Sequence, residues 1–285
     1  MESTVFIYRN GALGDTVAFI PFVFELRKYY KKIVFAGNYL YRQLFEDIDF
    51  VDFIDANSKD VLNIFIGKPF PKADKYLIFS KNSYGLERSE LYFFEPLPES
   101  GWFYKHPFDC LGLAFKEEAV YLPISYDESI ASVIGKKPFL IFHPGSGGRK
   151  KRWPIDDFFA LETFVKKEFD FEVFYILGEA EEEEELIKRV GNKKCLVNLT
   201  LKKVIFLLSR SCGFVGCDSG ISHLTGILNL CGVAVFGPSS PDIFKPYGDV
   251  KVVKGETENI ESVNTLNVIK VLGEELEKRR NLPCV

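Results

Sequence analysis

The stretch Gly213-Phe214-Val215-Gly216-Cys217-Asp218-Ser219-Gly220-Ile221-Ser222-His223-Leu224 decides the reading of this chain. Residues 213–215 read as a strand, Gly216-Cys217 ends it, and Asp218-Ser219-Gly220 opens a helix. A strand that passes into a helix through a short glycine-bearing turn is the repeating step of a parallel sheet covered by helices, and such sheets bind ligands outside the carboxyl ends of their strands. Here Ser219 and the amides after it can bind phosphate oxygens at the positive end of a helix, while Asp218 can hold hydroxyls. A plainer role is also open, with Ser219 as an N-cap and Gly220 as a conformational glycine. The G-x-S-x-G elbow is missing, which argues against a serine nucleophile.

Three further loops repeat the pattern. Arg9-Asn10-Gly11-Ala12-Leu13-Gly14-Asp15 follows the strand-like run at 5–8 and leads into a helix expected at 16–30. Spacing alone makes Asp15 an N-cap for that helix. The G-x-G-x-x-G spacing of a dinucleotide site is absent. His143-Pro144-Gly145-Ser146-Gly147-Gly148 follows a strand at 139–142 and runs into Arg149, Lys150, Lys151 and Arg152 before Trp153-Pro154. A glycine turn followed by cations is a sensible diphosphate cradle, although such charge runs are also ordinary solvated faces. His143 reads as a structural cap. Phe236-Gly237-Pro238-Ser239 is the fourth loop.

Around these loops, strand-length apolar runs alternate with amphipathic segments throughout, so the class is α/β. Strands are expected near 5–8, 33–36, 51–54 and 76–79, then near 139–142, 172–177, 213–215, 233–236 and 250–253. Helices are expected near 16–30 and 39–46, with a last one from 260 to 280. The segment 81–113, rich in Phe, Tyr, Pro and Glu, has poor periodicity and yields no assignment. Pro, Gly and charge between apolar runs place a domain junction within 123–138. The expected domains are therefore 1–135 and 136–285, each of ordinary size.

Composition narrows the function. The 285 residues are 47% hydrophobic and 27% charged, enough for substantial cores. The 36 basic and 40 acidic residues give a formal charge of −4 in mixed order, so nucleic acid is not an expected partner. The six cysteines form no C-x-x-C pair and read as belonging to a reducing compartment, not to a disulfide framework or a metal site. No apolar stretch is long enough to span a membrane and no signal pattern precedes the first strand, which makes the cytoplasm the expected location.

In this order and at these separations the four loops resemble the heptosyltransferases, glycosyltransferase family nine, which add heptose to the lipopolysaccharide core. The resemblance is dense in the C-terminal half and confined to the beginning of the N-terminal half. It implies the GT-B fold: two Rossmann-like lobes facing a central cleft, an acceptor-binding one and a nucleotide-sugar-binding one, with the final helix packing back on the first. It also implies an inverting transfer of heptose from an ADP-activated donor to an inner-core glycolipid at the inner membrane surface, where the enzyme would be peripheral.

Within that family Asp15 falls on the catalytic general base, and Lys151, two residues before Trp153, on the lysine that contacts the leaving phosphates. Leu199 falls on the residue that packs against adenine. A glutamate past the strand ending at Leu177 holds the ribose, and spacing from Gly178 selects Glu182 from an acidic run that also suits a helix start. The family's usual Asp-Thr-Gly is here Asp218-Ser219-Gly220, a departure that keeps the hydroxyl. The candidate donor-binding set is thus Gly14, Ser146, Gly147, Lys151, Glu182, Leu199, Asp218, Ser219, Gly220, Ile221 and His223, with Asp15 and Lys151 catalytic and no cofactor or metal. Asp47-Ile48-Asp49 matches the metal signature of a different glycosyltransferase fold, but a solvated turn before the next strand is the expected reading. A sugar-nucleotide epimerase or hydrolase and a non-catalytic nucleotide-sugar-binding protein are the alternatives.

Overall fold

The computed structural model describes residues 3–68, 72–81, 89–178 and 186–279. The chain divides into two compact units, Met1–Pro123 and Ile124–Val285. Residues 124–135, assigned above to the first domain, fall in the second unit. There Tyr126 meets Phe206 edge-on at 5.2 Å, and Asp127 caps the helix Glu128–Ile134 by accepting from the Ile130 amide at 3.0 Å.

The first unit is a five-stranded parallel sheet in the order β3-β2-β1-β4-β5. Its strands are β1 (Thr4–Arg9), β2 (Lys32–Gly37), β3 (Val51–Asp55), β4 (Lys75–Phe79) and β5 (Leu91–Phe94). Both faces are covered, as a parallel sheet requires. Along β1, Phe6 and Tyr8 pack with Val34, Ala36, Val61, Ile64 and Ile78. Alternation sends Val5, Ile7 and Arg9 to the opposite face. That face is closed by aromatic rings, with Phe19 against Phe79 at 4.8 Å and Phe35 stacked on Phe45 at 4.7 Å.

The helix expected at 16–30 is two helices, Leu13–Val17 and Ile20–Leu26. Pro21 explains the break, because it has no N–H for the carbonyl four residues earlier and its ring crowds that turn. The expected helix at 39–46 is a 3₁₀ segment, Tyr39–Leu44, whose Leu40 amide is capped by Asn38 at 3.1 Å. Within 81–113 the described residues contain edge strand β5 and the short helix His106–Cys110.

The second unit is a six-stranded parallel sheet, β11-β10-β9-β6-β7-β8. Its strands are β6 (Phe139–His143), β7 (Glu172–Leu177), β8 (Cys195–Val197), β9 (Gly213–Cys217), β10 (Gly232–Phe236) and β11 (Val250–Lys254). Strand β8 is an addition to those expected from the sequence. One continuous core joins Leu140, Phe142, Trp153, Phe158, Tyr175 and Val215. The last helix, Thr265–Arg279, was expected to return across the first domain. Its Val268, Leu272 and Leu276 are buried in this core, and it packs on the helix Ile155–Phe169 and on β10 and β11.

Strand order positions the loops. The chain runs outward from β6 through β7 to β8, then crosses to β9 on the other side of β6 and runs outward to β11. The loops that leave the carboxyl ends of β6 and β9 therefore diverge, which is the switch point where open α/β sheets form a crevice. In the first sheet the same divergence falls between β1 and β4.

Cys110, Cys195, Cys217 and Cys231 are thiols outside any disulfide. Cys212 is disulfide-bonded, and one bridge does not make a disulfide framework.

Candidate functional site

In the second unit, His143 pairs with Gly216 across β6 and β9, so the loops that follow start side by side. They are then tied together. Ser146 donates its hydroxyl to the Asp218 carbonyl at 2.8 Å, Cys217 donates its thiol to the Pro144 carbonyl at 3.5 Å, and the Trp153 amide donates to the Cys217 Sγ at 3.3 Å. Arg152 Nε donates to the Ser146 carbonyl at 2.9 Å, folding the basic segment back over the turn. Lys151, in the 3₁₀ turn Arg149–Lys151, reaches Asp218 Oδ2 at 2.7 Å.

The helix Gly220–Ile227 starts at this point. Ser219 holds its N-cap position in extended conformation, yet its side chain caps no helix amide and lies 3.5 Å from the Ser222 hydroxyl instead. Ser222 donates to the Cys217 carbonyl at 2.5 Å. The first amides of this helix are therefore not consumed by a side-chain cap, unlike the plain N-cap reading. His223 is buried in the first turn, and Ile221 is half-buried. The helix itself is locked in place, because a Cβ on Gly226 would lie 2.1 Å from the Tyr247 carbonyl oxygen.

Ser146, Lys151, Asp218, Ser219 and Gly220 thus meet at one crevice. Gly147 is exposed, with open space where a Cβ would be. Leu199 is half-buried in the turn between β8 and the helix Leu201–Ser209. Glu182 lies outside the described residues. His143 is structural: its Nδ1 is 3.0 Å from the Ile176 carbonyl, and a carbonyl accepts only, so Nδ1 carries the proton.

In the first unit Gly14 and Asp15 occupy the second and third positions of the helix Leu13–Val17, so Asp15 is not the N-cap expected above; Ala12 is. The Asp15 carboxylate is held by two donors. Its Oδ2 accepts from the Ala12 amide at 2.8 Å, and its Oδ1 meets Arg9 Nη2 at 2.6 Å. Gly11 fits only without a side chain, since a Cβ there would lie 2.7 Å from the Asp15 Cβ.

Arg9 was quoted in its loop by sequence reading but assigned no role. It is buried, its Cζ lies 5.7 Å from the Phe19 ring centroid, and its Nε has no hydrogen-bond partner among the described residues. Leaving such a donor unsatisfied costs about 1–3 kcal/mol. Burial pushes the guanidinium down from its ordinary value, and the Asp15 charge opposes that. Tyr41 shares this neighbourhood: burial pushes its hydroxyl up, the Leu13 amide opposes, and the Asp15 charge adds to the rise.

Asp47 and Asp49 are exposed in the turn before the amino end of β3, whereas Asp15 follows the carboxyl end of the parallel strand β1. Among the described residues no group of three or more His, Cys, Asp or Glu could hold a metal ion. The Cys110 thiol, raised to about 11 by burial and then by Asp109, is a poor nucleophile.

Two Rossmann-like parallel α/β units in one chain, with a polar crevice at the switch point of the second, define the GT-B class of glycosyltransferase fold. Within that class the chain belongs to glycosyltransferase family 9 (heptosyltransferase), whose pattern matches residues 107–270. The lipooligosaccharide heptosyltransferase 2 of Haemophilus influenzae is 27% identical over an alignment of 144 positions that covers 45% of this chain and 41% of that protein. The chain thus spans under half the length of the curated relative it matches.

Over the whole fold, a family 9 glycosyl transferase from Veillonella parvula superposes with a TM-score of 0.78 at 17% identity, covering 97% of this chain and 98% of the other. The Escherichia coli ADP-heptose LPS heptosyltransferase II gives 0.74 at 17% identity, covering 97% and 99%.

Proposed function

We propose that this protein is an inverting glycosyltransferase that moves heptose from an ADP-activated donor to a lipopolysaccharide inner-core acceptor. The observation that carries the reading is the Lys151–Asp218 pair at the crevice between the loops after β6 and β9. It sets a lysine beside a helix start whose amides no side chain caps, which suits a diphosphate.

In this mechanism Asp15 accepts the proton of the acceptor hydroxyl as its oxygen attacks the anomeric carbon of the heptose. The bond to the diphosphate breaks on the opposite face, inverting the centre. Lys151 and the amides of Gly220 and Ile221 stabilise the departing charge. Asp218 holds sugar hydroxyls, Leu199 packs on adenine, and Glu182 binds the ribose. Among the described residues no helix is long and apolar enough to cross a membrane, and we place the reaction at the cytoplasmic face of the inner membrane, with the enzyme associated peripherally.

Calorimetry on the intact protein with ADP, UDP and GDP tests the donor, followed by turnover of ADP-heptose with and without a Kdo-terminated inner-core acceptor. A preference for ADP and acceptor-dependent release of ADP are expected. Equal affinity for the three nucleotides would overturn the donor assignment, and turnover independent of acceptor would point to hydrolysis.

A further inference from the structure

We propose that Arg9 is a positioning residue for Asp15, holding its carboxylate in the one orientation from which it can take a proton. The inference rests on the reading of Asp15 as the general base and goes beyond it to the residue that makes that base usable.

The argument starts from an oddity of the core. Position 9 lies on the apolar face of β1 that also carries Val5 and Ile7, beneath the ring of Phe19. An apolar side chain would pack there at no electrostatic cost, and replacing a buried ion pair by hydrophobic groups of similar volume is often neutral or stabilising. The chain instead buries a guanidinium whose Nε has no partner among the described residues. The arrangement is thus poor as a stabilising device and well made for aiming one carboxylate.

Its geometry is that of a clamp. One Asp15 oxygen meets Arg9 at 2.6 Å and the other meets the Ala12 amide at 2.8 Å. The two donors come from different segments, the end of β1 and the loop after it, so the carboxylate cannot turn without breaking one of them. Phe19, itself fixed against Phe79 at 4.8 Å, supports the guanidinium. Arg9 touches Asp15 and is buried from substrate, so it acts through Asp15 and is not itself a catalytic residue.

The test is a cycle of Arg9→Met, Arg9→Lys, Asp15→Asn and the double variant Arg9→Met/Asp15→Asn. It is measured with ADP-heptose on whichever inner-core acceptor gives the wild type its highest rate, together with calorimetric ADP affinity and thermal melting. Arg9→Met should lower kcat by about 10- to 100-fold, leave ADP affinity and melting near wild type, and be partly rescued by Arg9→Lys. In the Asp15→Asn background Arg9→Met should cost nothing further, because the residue it positions is gone.

An Arg9→Met enzyme with wild-type kcat beside a crippled Asp15→Asn would overturn the proposal and leave the base assignment standing. Losses that simply add would also overturn it, as would an Arg9→Met variant that melts early and loses ADP affinity, the mark of a structural residue. A fully active Asp15→Asn would instead remove the base reading itself.

Discussion

Each unit holds one pair of opposite charges beside the loop of its switch-point strand, and the two pairs are inverted. In the first, the Arg9 side chain is 6% exposed and its partner Asp15 is 26% exposed. In the second, Asp218 is 6% exposed and Lys151 is 37% exposed. The first unit therefore buries the cation and offers a carboxylate, while the second buries the carboxylate and offers a cation. In the proposed reaction the exposed carboxylate of the first unit would serve as proton acceptor and the exposed cation of the second as anion receptor, the two chemical demands of glycosyl transfer from a nucleotide sugar. Burial alone does not mark function, since Glu162 is buried in the same sense as Asp218; it differs in being saturated by three donors, Lys166 and Lys193, each at 2.6 Å, and the Tyr175 hydroxyl at 2.9 Å.

The comparison breaks first at Asp15. Asp15→Asn should lower kcat by roughly 10²–10⁴-fold, since an amide cannot accept the proton, while ADP affinity stays unchanged. The variant should also melt earlier, because it leaves the buried Arg9 without its counter-charge. Stability alone thus cannot separate a helix-capping role from a chemical one, and kcat must be measured beside it. Full activity in Asp15→Asn would end the contrast between the two pairs.

Next comes Lys151. Lys151→Met should weaken ADP binding and lower kcat by about 10- to 100-fold each, through loss of a charge-assisted contact with the diphosphate. A Lys151→Met protein that binds ADP as the wild type does would reduce the second pair to a strut.

The smallest kinetic effect belongs to Glu162. Burial alone would raise its carboxyl, yet hydrogen bonds from Lys166, Lys193 and Tyr175 hold it below the ordinary value of 4.5. A carboxylate whose folded value is depressed stabilises above its unfolded value, and that contribution is lost as pH falls through the folded one. Glu162→Gln should therefore cost about 1–3 kcal/mol at neutral pH, with less difference from wild type as pH drops below 4.5. ADP affinity and kcat should not move. Denaturant melts at neutral and acidic pH check this, and a kinetic defect would mean that buried charge in this protein does not sort into structural and functional kinds.

How much of this was legible in the sequence follows from what is local. Strands β1, β6 and β9 and the turns after them were readable because a short apolar run followed by Gly and a cap-forming side chain leaves few alternatives. The edge strands β5 and β8 were not, being too short to show a period, and they exist because β4 and β7 lend them a ladder of hydrogen bonds. The break in the first helical segment is legible in Pro21, which cannot continue the preceding turn.

At the candidate site, residue types were legible and partnerships were not. Lys151 and Asp218 are brought together by the crossing from β8 to β9, a matter of strand order that no spacing reports. Arg9 and Asp15 are close in the chain, but their pairing depends on the loop turning back over Gly11. The one signal available for Arg9 was a charged residue on the inward register of an otherwise apolar strand.

The contact between Gly226 and Tyr247 has a consequence for anyone who would redesign this protein. The helix Gly220–Ile227 lies so near the Tyr247 carbonyl that position 226 tolerates no side chain, and the backbone at Gly248, with φ +63°, is bent to match, its Cβ position 3.0 Å from the Gly226 oxygen. Helix and loop are thus fitted like a key filed to one lock, and the helix cannot slide to accommodate a bulkier donor without unseating the loop. At the proposed donor site, altered donor choice would have to come from places such as the open turn at Gly147, since any side chain at position 226 would push the helix off the Tyr247 loop.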